Sequence, residues 1–419
     1  MVGAGNRGYL AYGAYAERHP DKARFVAVVE PDEGRRARFA QVHRLPPDRQ
    51  FRSWEELAAR PLIAPALVNA TMDRTHRPST LALLAAGYDV LLEKPIATTP
   101  EECAEIVRAA ESGGRLLQIA HVLRYAPFFL AIRDVVTSGR LGEIVSVDWR
   151  ENLAYWHFAH SFVRGNWANS GRAGPMILTK CCHDLDLLVW LFGACDRLSS
   201  FGSLTHFTRD AVGPEIPDRC TDGCPIADSC AYFAPRVYLD RLRVNPQSFA
   251  LAAVTLDRTP EGVMRALETG PYGRCVYRCD NDVVDHQVVL MRFGGGLSVS
   301  LTMQGASHVE GRTARIDGTR ASLLANESRG EIDLHDHRSG ELETSHVSRG
   351  IGGHGGGDEG VMSAFVAAVR GDREGVRTSA RESLQSHLLA FAAERSRAHG
   401  GEAIRMDAYV ALARGGRPD

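Results

Sequence analysis

The chain has 419 residues, enough for two domains with hydrophobic cores of ordinary size. Hydrophobic residues make up 44% of the sequence and charged residues 24%, and the formal net charge is only −2. This mixture is typical of soluble globular proteins. Without a basic stripe or a charged tail, it argues against nucleic acid and membrane surfaces as partners.

Neither a membrane span nor a secretory signal is recognisable in the sequence. No apolar run approaches the roughly 20 residues that a span needs, and the first residues lack the sections of a signal peptide. We therefore expect a cytoplasmic protein. Its nine cysteines are then reduced thiols that bind metal or are simply buried.

The first ten residues, MVGAGNRGYL, carry the spacing of a turn that holds a dinucleotide pyrophosphate. Gly3, Gly5 and Gly8 form G-x-G-x-x-G, in which the second glycine lets the backbone approach the pyrophosphate. Such a turn follows a buried strand, yet only Met1 and Val2 precede it. We interpret this start as a clipped strand; the alternative is that the glycines are ordinary turn residues.

Strands and helices alternate through the first third of the chain. The predicted strands are RFVAVVE, PALVNATM, YDVLLEKP and RLLQIA, and the predicted helices between them are SWEELAAR, RPSTLALLAAG and TTPEECAEIVRAAESGG. Ser53 is expected to form a capping box with Glu56, and Thr99 to cap its helix ahead of Pro100. The alternation predicts an α/β domain with a doubly wound parallel sheet of the Rossmann type.

Ligands of such sheets bind beyond the carboxyl ends of the strands, where several polar residues fall. The cofactor-binding candidates are Gly3, Gly5, Asn6, Arg7, Gly8, Glu30, Thr71, His76, Glu93 and Lys94. Glu30 ends its strand about 20 residues after the turn, where a carboxylate accepts hydrogen bonds from ribose hydroxyls and repels a 2′-phosphate. This favours NAD over NADP, although Arg35 and Arg36 nearby weaken the preference.

Three segments, together with the glycine turn, resemble the Gfo/Idh/MocA oxidoreductases. They are LLEKPIATTPEE, HVLRYAPFFLAIRDVVTSGRLGEIVSVDW and CCHDLDLLVWL. The resemblance implies a Rossmann domain over 1–121 and a C-terminal α/β domain over 122–419 with a large, mostly antiparallel open sheet. We place a cysteine-bearing insertion near 205–245. The resemblance also implies an NAD(P)-dependent enzyme of sugars, cyclitols or related polyols that forms a homodimer or homotetramer.

Several catalytic roles follow from the resemblance alone. Lys94 matches the lysine that touches nicotinamide and the reacting oxygen, and His183 matches the general acid/base. Asp186 matches an acid that orients the histidine or contacts substrate. Thr179 stands where many members carry an aspartate, so the usual acid partner of the histidine is missing. We expect Lys180 to compensate by binding a hydroxyl or an anionic substituent.

Two segments of the second domain suggest a substrate site from their residues alone. In MILTKCCHDLDLLVWLFG, which predicts one helix, Lys180, His183 and Asp186 share a polar side; the alternative is a solvated face with a structural histidine. The segment 155–167, YWHFAHSFVRGNW, suits a sugar because rings pack on C–H faces; the alternative is an aromatic core segment. The substrate-binding candidates here are Trp156, His157, His160, Arg164 and Trp167, together with Arg124 and Tyr125.

For the cysteine-rich segment RCTDGCPIADSCAYF, a structural zinc is one of two interpretations and not the favoured one. Cys220, Cys224 and Cys230 would need a fourth ligand, for which Cys275 or Cys279 is available. Such a zinc would stabilise the insertion and take no part in chemistry. The alternative is that these are small buried groups.

Two later segments carry further expectations. A hairpin of the large sheet is predicted from CDNDVVDHQVVLMRF, FGGGL and LSVSLTM. Its acidic start contains Asp282, Asp285 and His286. We interpret this start as a solvated strand entry in preference to a second metal site. In GIGGHGGGDEGVM, the glycines around His354 suggest an active-site lid, with Asp358 as the cap of the next helix. A flexible linker is the alternative. SARESLQSHLLAFAAERSRA predicts an amphipathic helix that finishes the domain.

The leading functional hypothesis is an NAD-dependent oxidoreductase that transfers a hydride between nicotinamide and a sugar-like polyol, with Lys94 and His183 as catalytic residues. A first alternative is an NAD-dependent glycoside hydrolase that works by transient C3 oxidation and elimination. A second is a non-catalytic sensor that binds NAD or a sugar. The two catalytic candidates argue against the sensor.

Overall fold

The structure, a computed structural model, describes residues 1–413 of the chain. The last part of the predicted second domain, 414–419, lies outside the described residues. The strands are β1 (Val28–Val29), β2 (Gln50–Phe51), β3 (Ala66–Asn69), β4 (Asp89–Leu92), β5 (Leu117–Ile119), β6 (Ile144–Ala154), β7 (Cys195–Ser203), β8 (His286–Phe293), β9 (Ser298–Ser307), β10 (Gly311–Gly318), β11 (Ala321–Asn326), β12 (Glu331–Asp336), β13 (Leu342–His346) and β14 (Ile404–Arg405).

Sixteen α-helices lie within residues 1–413. The α-helices are α1 (Ala14–Arg18), α2 (Glu33–His43), α3 (Trp54–Ala58), α4 (His76–Ala85), α5 (Pro100–Ser112), α6 (Pro127–Thr137), α7 (Tyr155–Phe158), α8 (Ser170–Ala173), α9 (Met176–Thr179), α10 (Cys182–Phe192), α11 (Ala234–Val244), α12 (Phe249–Val254), α13 (Pro260–Thr269), α14 (Gly357–Val369), α15 (Ala380–Ala398) and α16 (Met406–Ala413). Two segments wind as π-helices, Arg7–Gly13 and Ala159–Arg164. The first of these runs directly into α1.

The first sheet is parallel and confirms the doubly wound fold. β1 pairs with β2, and β3, β4 and β5 pair in that order, all in parallel. Val2 joins the two groups because it forms parallel bridges with both Val29 and Asn69. The two residues before the glycine turn thus occupy the central strand position, and Val2 is completely buried there.

The helix caps of this domain agree only in part with expectation. Thr99 accepts a hydrogen bond from the amide of Glu102 at 3.3 Å, so it caps α5 as predicted. Ser53 makes no such bond at the start of α3. Instead the Glu56 carboxylate accepts from the amide of Arg52 at 3.0 Å, which satisfies a different free N–H.

The second sheet has nine strands in the order β13-β12-β11-β10-β6-β9-β8-β7-β14. Every neighbouring pair is antiparallel except β6 and β9, which run parallel. The predicted hairpin is present as β8 and β9, with Gln287 opposite Met303. The architecture is therefore the predicted one, an α/β chain with a large, mostly antiparallel second sheet.

The helix predicted over 176–193 is broken in the structure. It forms α9 and α10, with Lys180 and Cys181 between them. The polar residues of α10 are buried, namely His183, Asp184 and Asp186. The alternative interpretation of a solvated helix face is therefore wrong. The position of α10 between the sheet and α15 explains this burial.

Helix α15 connects the two domains. Most of its residues are buried, and it packs on both α5 and α10. The amide of Ile119, at the end of β5, donates to the carbonyl oxygen of Thr378 just before this helix, at 3.0 Å. The segment predicted to finish the second domain therefore also supports the first.

The insertion of the second domain is longer than predicted. β7 ends at Ser203 and β8 begins at His286, and the intervening chain holds α11, α12 and α13. These helices enclose a small core of their own, which includes Tyr238, Leu251 and Leu267. No helix within residues 1–413 is long and apolar enough to cross a membrane.

Candidate active site

The glycine turn has the shape that a phosphate-binding turn requires. Gly3 has a φ of +86°, and a Cβ there would lie 2.5 Å from the carbonyl oxygen of Ala70. A Cβ on Gly8 would lie 2.0 Å from the carbonyl oxygen of Gly3. A Cβ on Gly5 would meet nothing within 4 Å, so this glycine borders open space. The first and third glycines are needed for packing, and the second leaves the backbone accessible to a ligand.

Glu30 lies beside this turn, directly after β1. Its carboxylate accepts hydrogen bonds from the amides of Ala4, at 2.7 Å, and Asp32, at 3.1 Å. A carboxylate has about four acceptor positions, so capacity remains for ribose hydroxyls. Arg36 is buried, and its guanidinium donates to the carbonyl oxygen of Glu30 at 2.6 Å. This contact holds the Arg36 side chain on the backbone.

Thr71 and His76 connect the ends of two neighbouring strands. His76 is completely buried, with Nδ1 2.6 Å from the carbonyl oxygen of Pro95 and Nε2 3.1 Å from that of Thr71. The Thr71 hydroxyl donates to the side chain of Asn69 at 2.9 Å. This geometry favours a supporting role for His76, which holds the loop after Lys94 in place.

Arg7 ties the glycine turn to the second domain. Its guanidinium lies 2.5 Å from Glu93 and 2.8 Å from Asp358. Tyr12, which sequence reasoning missed, donates to the same Glu93 oxygen at 2.5 Å. Burial raises the pKa of Asp358, but the charges of Arg7 and His354 outweigh it and hold the pKa well below its usual range. Asp358 is therefore a buried ion-pair partner. It does not cap α14 as predicted, because the N-cap position of that helix is Gly356.

Lys94 and His183 come from different domains and lie at the same site. The Lys94 ammonium donates from Nζ to the carbonyl oxygen of Thr179 at 2.7 Å. Thr179 ends α9, and His183 follows it in the first turn of α10. His183 is 4% exposed, and its buried Nδ1 has no hydrogen-bond partner among residues 1–413. Burial, with the charge of Lys94, lowers the pKa of His183 well below its ordinary value. A neutral imidazole beside an ammonium can accept a proton from a hydroxyl.

His354 also reaches this site. Its ring centroid lies 5.8 Å from that of His183, and its Nδ1 lies 3.0 Å from Asp358. The backbone of His354 is in the left-handed region, with a φ of 51°, between glycines. His354 therefore lies beside His183, while its role in an active-site lid stays a prediction.

Asp186, Arg124 and Tyr125 lie behind the site. The Arg124 guanidinium binds both carboxylate oxygens of Asp186, at 2.6 and 2.7 Å, and both side chains are buried. The Tyr125 hydroxyl accepts from the amide of Arg377 at 2.8 Å. Asp186 does not contact His183 directly; its other neighbour is His121, whose Nδ1 lies 2.5 Å away. This geometry favours structural roles for Arg124 and Tyr125 over substrate contact.

Lys180 faces a network of buried charges. Its Nζ lies 3.2 Å from Glu151 on β6, and Arg312 on β10 lies 2.6 Å from the other oxygen of Glu151. Arg312 also lies 2.8 Å from Asp184. The Lys180 side chain keeps 18% exposure, whereas that of Glu151, its ion-pair partner, keeps only 1%.

The two halves of the chain match two models of one family. Residues 1–121 match the NAD-binding Rossmann fold of an oxidoreductase family, and residues 133–405 match the C-terminal alpha/beta domain of the same family. The chain belongs to the Gfo/Idh/MocA oxidoreductase family. The resemblance seen in the sequence is confirmed, and the chain is an NAD-dependent oxidoreductase of that family.

Known relatives include dehydrogenases of cyclic diols and polyols. YteT of Bacillus subtilis (strain 168), named as an oxidoreductase, is 25% identical over 307 residues, or 70% of this chain and 69% of YteT. Inositol 2-dehydrogenase 2 of Saccharopolyspora erythraea is 33% identical over 178 residues, or 41% of this chain and 47% of that protein. Trans-1,2-dihydrobenzene-1,2-diol dehydrogenase of Mus musculus is 38% identical over 183 residues, or 43% of this chain and 52% of that protein. The last two matches span about half the length of those relatives.

Solved structures show the same fold. Levoglucosan dehydrogenase in complex with NADH matches with a TM-score of 0.69 over 97% of both chains, at 17% identity. An oxidoreductase from Agrobacterium radiobacter in complex with NAD⁺, L-tartaric acid and magnesium matches with a TM-score of 0.68 over 97% of both chains, at 15% identity. At these identities the likeness establishes the architecture of this oxidoreductase.

The aromatic segment 155–167 lies mainly in a core between the sheet and the insertion. His160 stacks on Tyr272 with centroids 4.6 Å apart, and its Nδ1 lies 2.8 Å from the Tyr238 hydroxyl. His160 and Arg164 are buried, as the core alternative predicts. This placement leaves neither side chain open to a substrate.

Two residues of this segment are less enclosed. The Arg241 guanidinium covers the ring of Trp156 at 3.0 Å from the centroid, and His157 lies 2.7 Å from Glu310. Burial raises the pKa of Glu310, but the hydrogen bond from His157 helps to lower it to about 2. Both rings also contact the insertion, so they remain candidates only for the outer edge of a substrate site.

Trp167 reaches the first domain. Its indole Nε1 donates to Asp73 at 3.0 Å, and Asp73 is buried at the end of β3. Burial raises the pKa of Asp73 above its ordinary value. Sequence reasoning missed Asp73, although it follows a parallel strand and the rule that found Thr71 applies to it equally.

The structural zinc considered for the cysteine-rich segment is not supported. Within residues 1–413, no group of three or more histidine, cysteine or acidic side chains could hold a metal ion. Cys220, Cys224, Cys230 and Cys275, and the alternative ligand Cys279, are free thiols. The Arg164 guanidinium lies 3.5 Å from the Cys220 sulfur, and its charge also acts on Cys230 and Cys275. A cation already among the thiols disfavours a metal there.

The acidic start of β8 is a strand entry, as favoured from the sequence, but it is only partly solvated because Asp285 is buried. Asp285 accepts hydrogen bonds from the amides of Thr205 and His206, at 2.8 and 2.7 Å, and lies 2.8 Å from His286. Asp282 accepts from the amide of Ser170 at 2.6 Å. These carboxylates hold the loops that flank the strand.

Buried histidines predict a loss of stability in acid. Burial lowers the pKa of both His160 and His387 to about 3. Between the ordinary pKa near 6.5 and this value, the unfolded chain binds a proton that the folded chain does not, so stability falls as the pH falls. For each histidine, the free energy of unfolding falls by about 1.4 kcal/mol per unit decrease in pH within this range.

We expect His387→Gln to flatten this dependence. Urea unfolding between pH 7 and pH 4.5 measures the slope of the unfolding free energy for the wild type, this variant and His335→Gln. His335 is exposed on β12 and serves as the matched control, which should keep the wild-type slope. An unchanged slope in His387→Gln would contradict the assignment of a neutral buried imidazole.

Proposed function

We propose that this oxidoreductase transfers a hydride between the nicotinamide of NAD and a carbon that bears a hydroxyl or carbonyl in a sugar, cyclitol or related polyol. The carrying observation is the convergence of Lys94 and His183 at the carboxyl end of β4. The names of the inositol, dihydrodiol and levoglucosan dehydrogenases among its relatives support this substrate class. The cofactor supplies the hydride acceptor or donor when bound.

The residues present fit a dinucleotide. Gly5 leaves open space where a pyrophosphate must approach the backbone, while the packed glycines on either side hold the turn. Glu30 keeps acceptor capacity for ribose hydroxyls, and Arg36 is engaged with backbone carbonyl oxygens. We infer a preference for NAD over NADP, because a 2′-phosphate would face the Glu30 carboxylate without a free Arg36.

The side chains then have complementary tasks. The Lys94 ammonium holds the reacting oxygen and stabilises negative charge on it as the hydroxyl proton leaves. His183 accepts that proton, for which its low pKa keeps the imidazole neutral at neutral pH. His354, on its glycine-rich turn, lies against the imidazole ring of His183 and limits the access of water to it. In the reverse reaction, His183 returns the proton to the carbonyl oxygen.

A panel of inositols, sugars and other polyols with NAD⁺ or NADP⁺ tests the proposal. NADH formed in proportion to the polyol consumed, and faster than NADPH, is the expected result. Free sugar released from glycosides without net NADH would instead identify the NAD-dependent hydrolase. NADH binding without any turnover across the panel would favour the sensor. The homodimer or homotetramer and the cytoplasmic location stay predictions.

A further inference from the structure

His121 lies at the centre of a cluster of buried histidines and charges. It follows β5 at the carboxyl edge of the parallel sheet, and its side chain is completely buried. Its Nδ1 lies 2.5 Å from Oδ1 of Asp186, whose carboxylate also binds Arg124. Burial raises the pKa of Asp186, but its contacts with His121 and Arg124 lower it to about 2. Asp186 is therefore an ionised acceptor that holds His121 by one ring nitrogen.

The other nitrogen of His121 lies near a second unpartnered ring nitrogen, on His183. The rings of His121 and His183 have centroids 5.7 Å apart and planes at 57°. His121 Nε2 and His183 Nδ1 are both buried without a hydrogen-bond partner among residues 1–413. Orphaned buried ring nitrogens are costly, and at this separation two such nitrogens can pair directly or through one water.

The remaining neighbours do not compete for this contact. His387 stacks on His121 with planes only 4° apart, but its own nitrogens are used. His387 Nε2 accepts from the amide of Ile96 at 2.9 Å, and Nδ1 donates to the carbonyl oxygen of Ser383 at 2.7 Å. Arg124 is engaged with Asp186, and the Lys94 ammonium with Thr179. Among these neighbours within residues 1–413, His183 is the one with an unpartnered nitrogen for His121 Nε2.

We propose that His121 is the positioning residue of the proton-transfer step, connecting the Asp186 carboxylate to His183. Nδ1–H of His121 donates to Asp186, and Nε2 of His121 accepts from Nδ1–H of His183. This fixes His183 as the Nδ1–H tautomer and leaves its Nε2 lone pair for the substrate hydroxyl. The inference rests on the proposed function for its substrate, but the tautomer is a property of the protein alone.

The proton step balances within these groups. As the substrate is oxidised, its O–H bond breaks and an N–H bond forms at His183 Nε2, while the C–H bond yields its electron pair as hydride to the oxidised nicotinamide. The resulting imidazolium keeps its Nδ1–H on His121, and the negative charge of Asp186 stabilises it through that ring. Asp186 thereby serves through His121 where an acid at position 179 is absent. Thr179 itself only donates its hydroxyl to the backbone, at 3.3 Å from Pro175.

Nitrogen NMR of histidine side chains tests the tautomer without turnover. We expect His183 in the wild type to carry its proton on Nδ1, and His121→Phe to lose this preference. His387→Gln is the control, because its nitrogens face the backbone and the His183 tautomer should persist. A His183 protonated on Nε2 in the wild type, or an unchanged tautomer in His121→Phe, overturns the proposal.

Kinetics supply the second readout. His121→Phe should lower kcat for polyol oxidation by about 100-fold with little change in KM, a modest share of what a positioned proton acceptor contributes. The acid limb of the kcat/KM profile should move to lower pH, because the His183 imidazolium loses the stabilising charge of Asp186. Asp186→Asn should move it the same way, and the double variant should be no worse than His121→Phe.

The two proposals can fail separately. A wild type with the Nδ1–H tautomer and no oxidation of any polyol would overturn the proposed function and leave the role of His121 intact. Oxidation that His121→Phe leaves unchanged in kcat and pH profile would overturn the role of His121 alone. NADH binding by each variant, followed by fluorescence, shows that the fold and the cofactor site persist.

Discussion

Replacing Lys94 by methionine is expected to lower kcat/KM for polyol oxidation by about 10³-fold. The methionine side chain keeps most of the apolar stem, so the change removes mainly the positive charge that lies 2.7 Å from the Thr179 carbonyl oxygen. Without it, negative charge on the reacting oxygen loses the stabilising ammonium of Lys94. Steady-state kinetics with the substrate found in the polyol panel provide the measurement.

The chain offers a matched control for this change. Lys22→Met removes the same charge from an exposed position after α1, where the hydrogen bonds of Lys22 within residues 1–413 are made by its backbone, to His19 and Arg370. This variant should keep wild-type kinetics. NADH binding by Lys94→Met, measured by fluorescence, should remain within a few-fold of wild type, since the glycine turn is untouched. A kcat/KM within tenfold of wild type would contradict the role of Lys94.

The first domain could be predicted well because its signals are local. The glycine spacing, the buried runs that end in Glu30 and Lys94, and the cap at Thr99 each occupy a few neighbouring residues. The edge rule for parallel sheets then places their side chains together without knowledge of the fold in detail. The same rule applies to Asp73 and His121, which follow β3 and β5, and it would have found both.

The second domain resisted prediction where charges are buried. The letters HDLD look like a solvated helix face, yet Asp184 and Asp186 lie in the interior because Arg312 and Arg124 neutralise them. These partners are 128 and 62 residues away in the chain, and no local pattern reports such a pairing. The same reason explains Arg164, whose hydrogen bonds to backbone carbonyl oxygens of the insertion depend on a contact across 110 residues.

Removing the Arg312 cation is expected to destabilise the fold by about 3–5 kcal/mol. The side chains of Asp184 and Glu151 are 0% and 1% exposed. Arg312→Met leaves both buried carboxylates without their arginine partner. Trp149 still donates to Asp184 at 2.8 Å, and Lys180 still faces Glu151, so the loss is partial. The free energy of unfolding from urea titrations measures it.

Arg315→Met is the control on the same strand. Arg315 points to the exposed face, where its ion pair with Asp317 is solvated, and its loss should cost less than about 1 kcal/mol. Burial already raises the pKa of Asp184, and without Arg312 it rises further. Lowering the pH then neutralises the abandoned carboxylate, so the penalty of Arg312→Met should shrink from pH 8 to pH 5. Adding Asp184→Asn should recover part of the lost stability at pH 8, because the uncompensated charge and not the missing contact is the main cost.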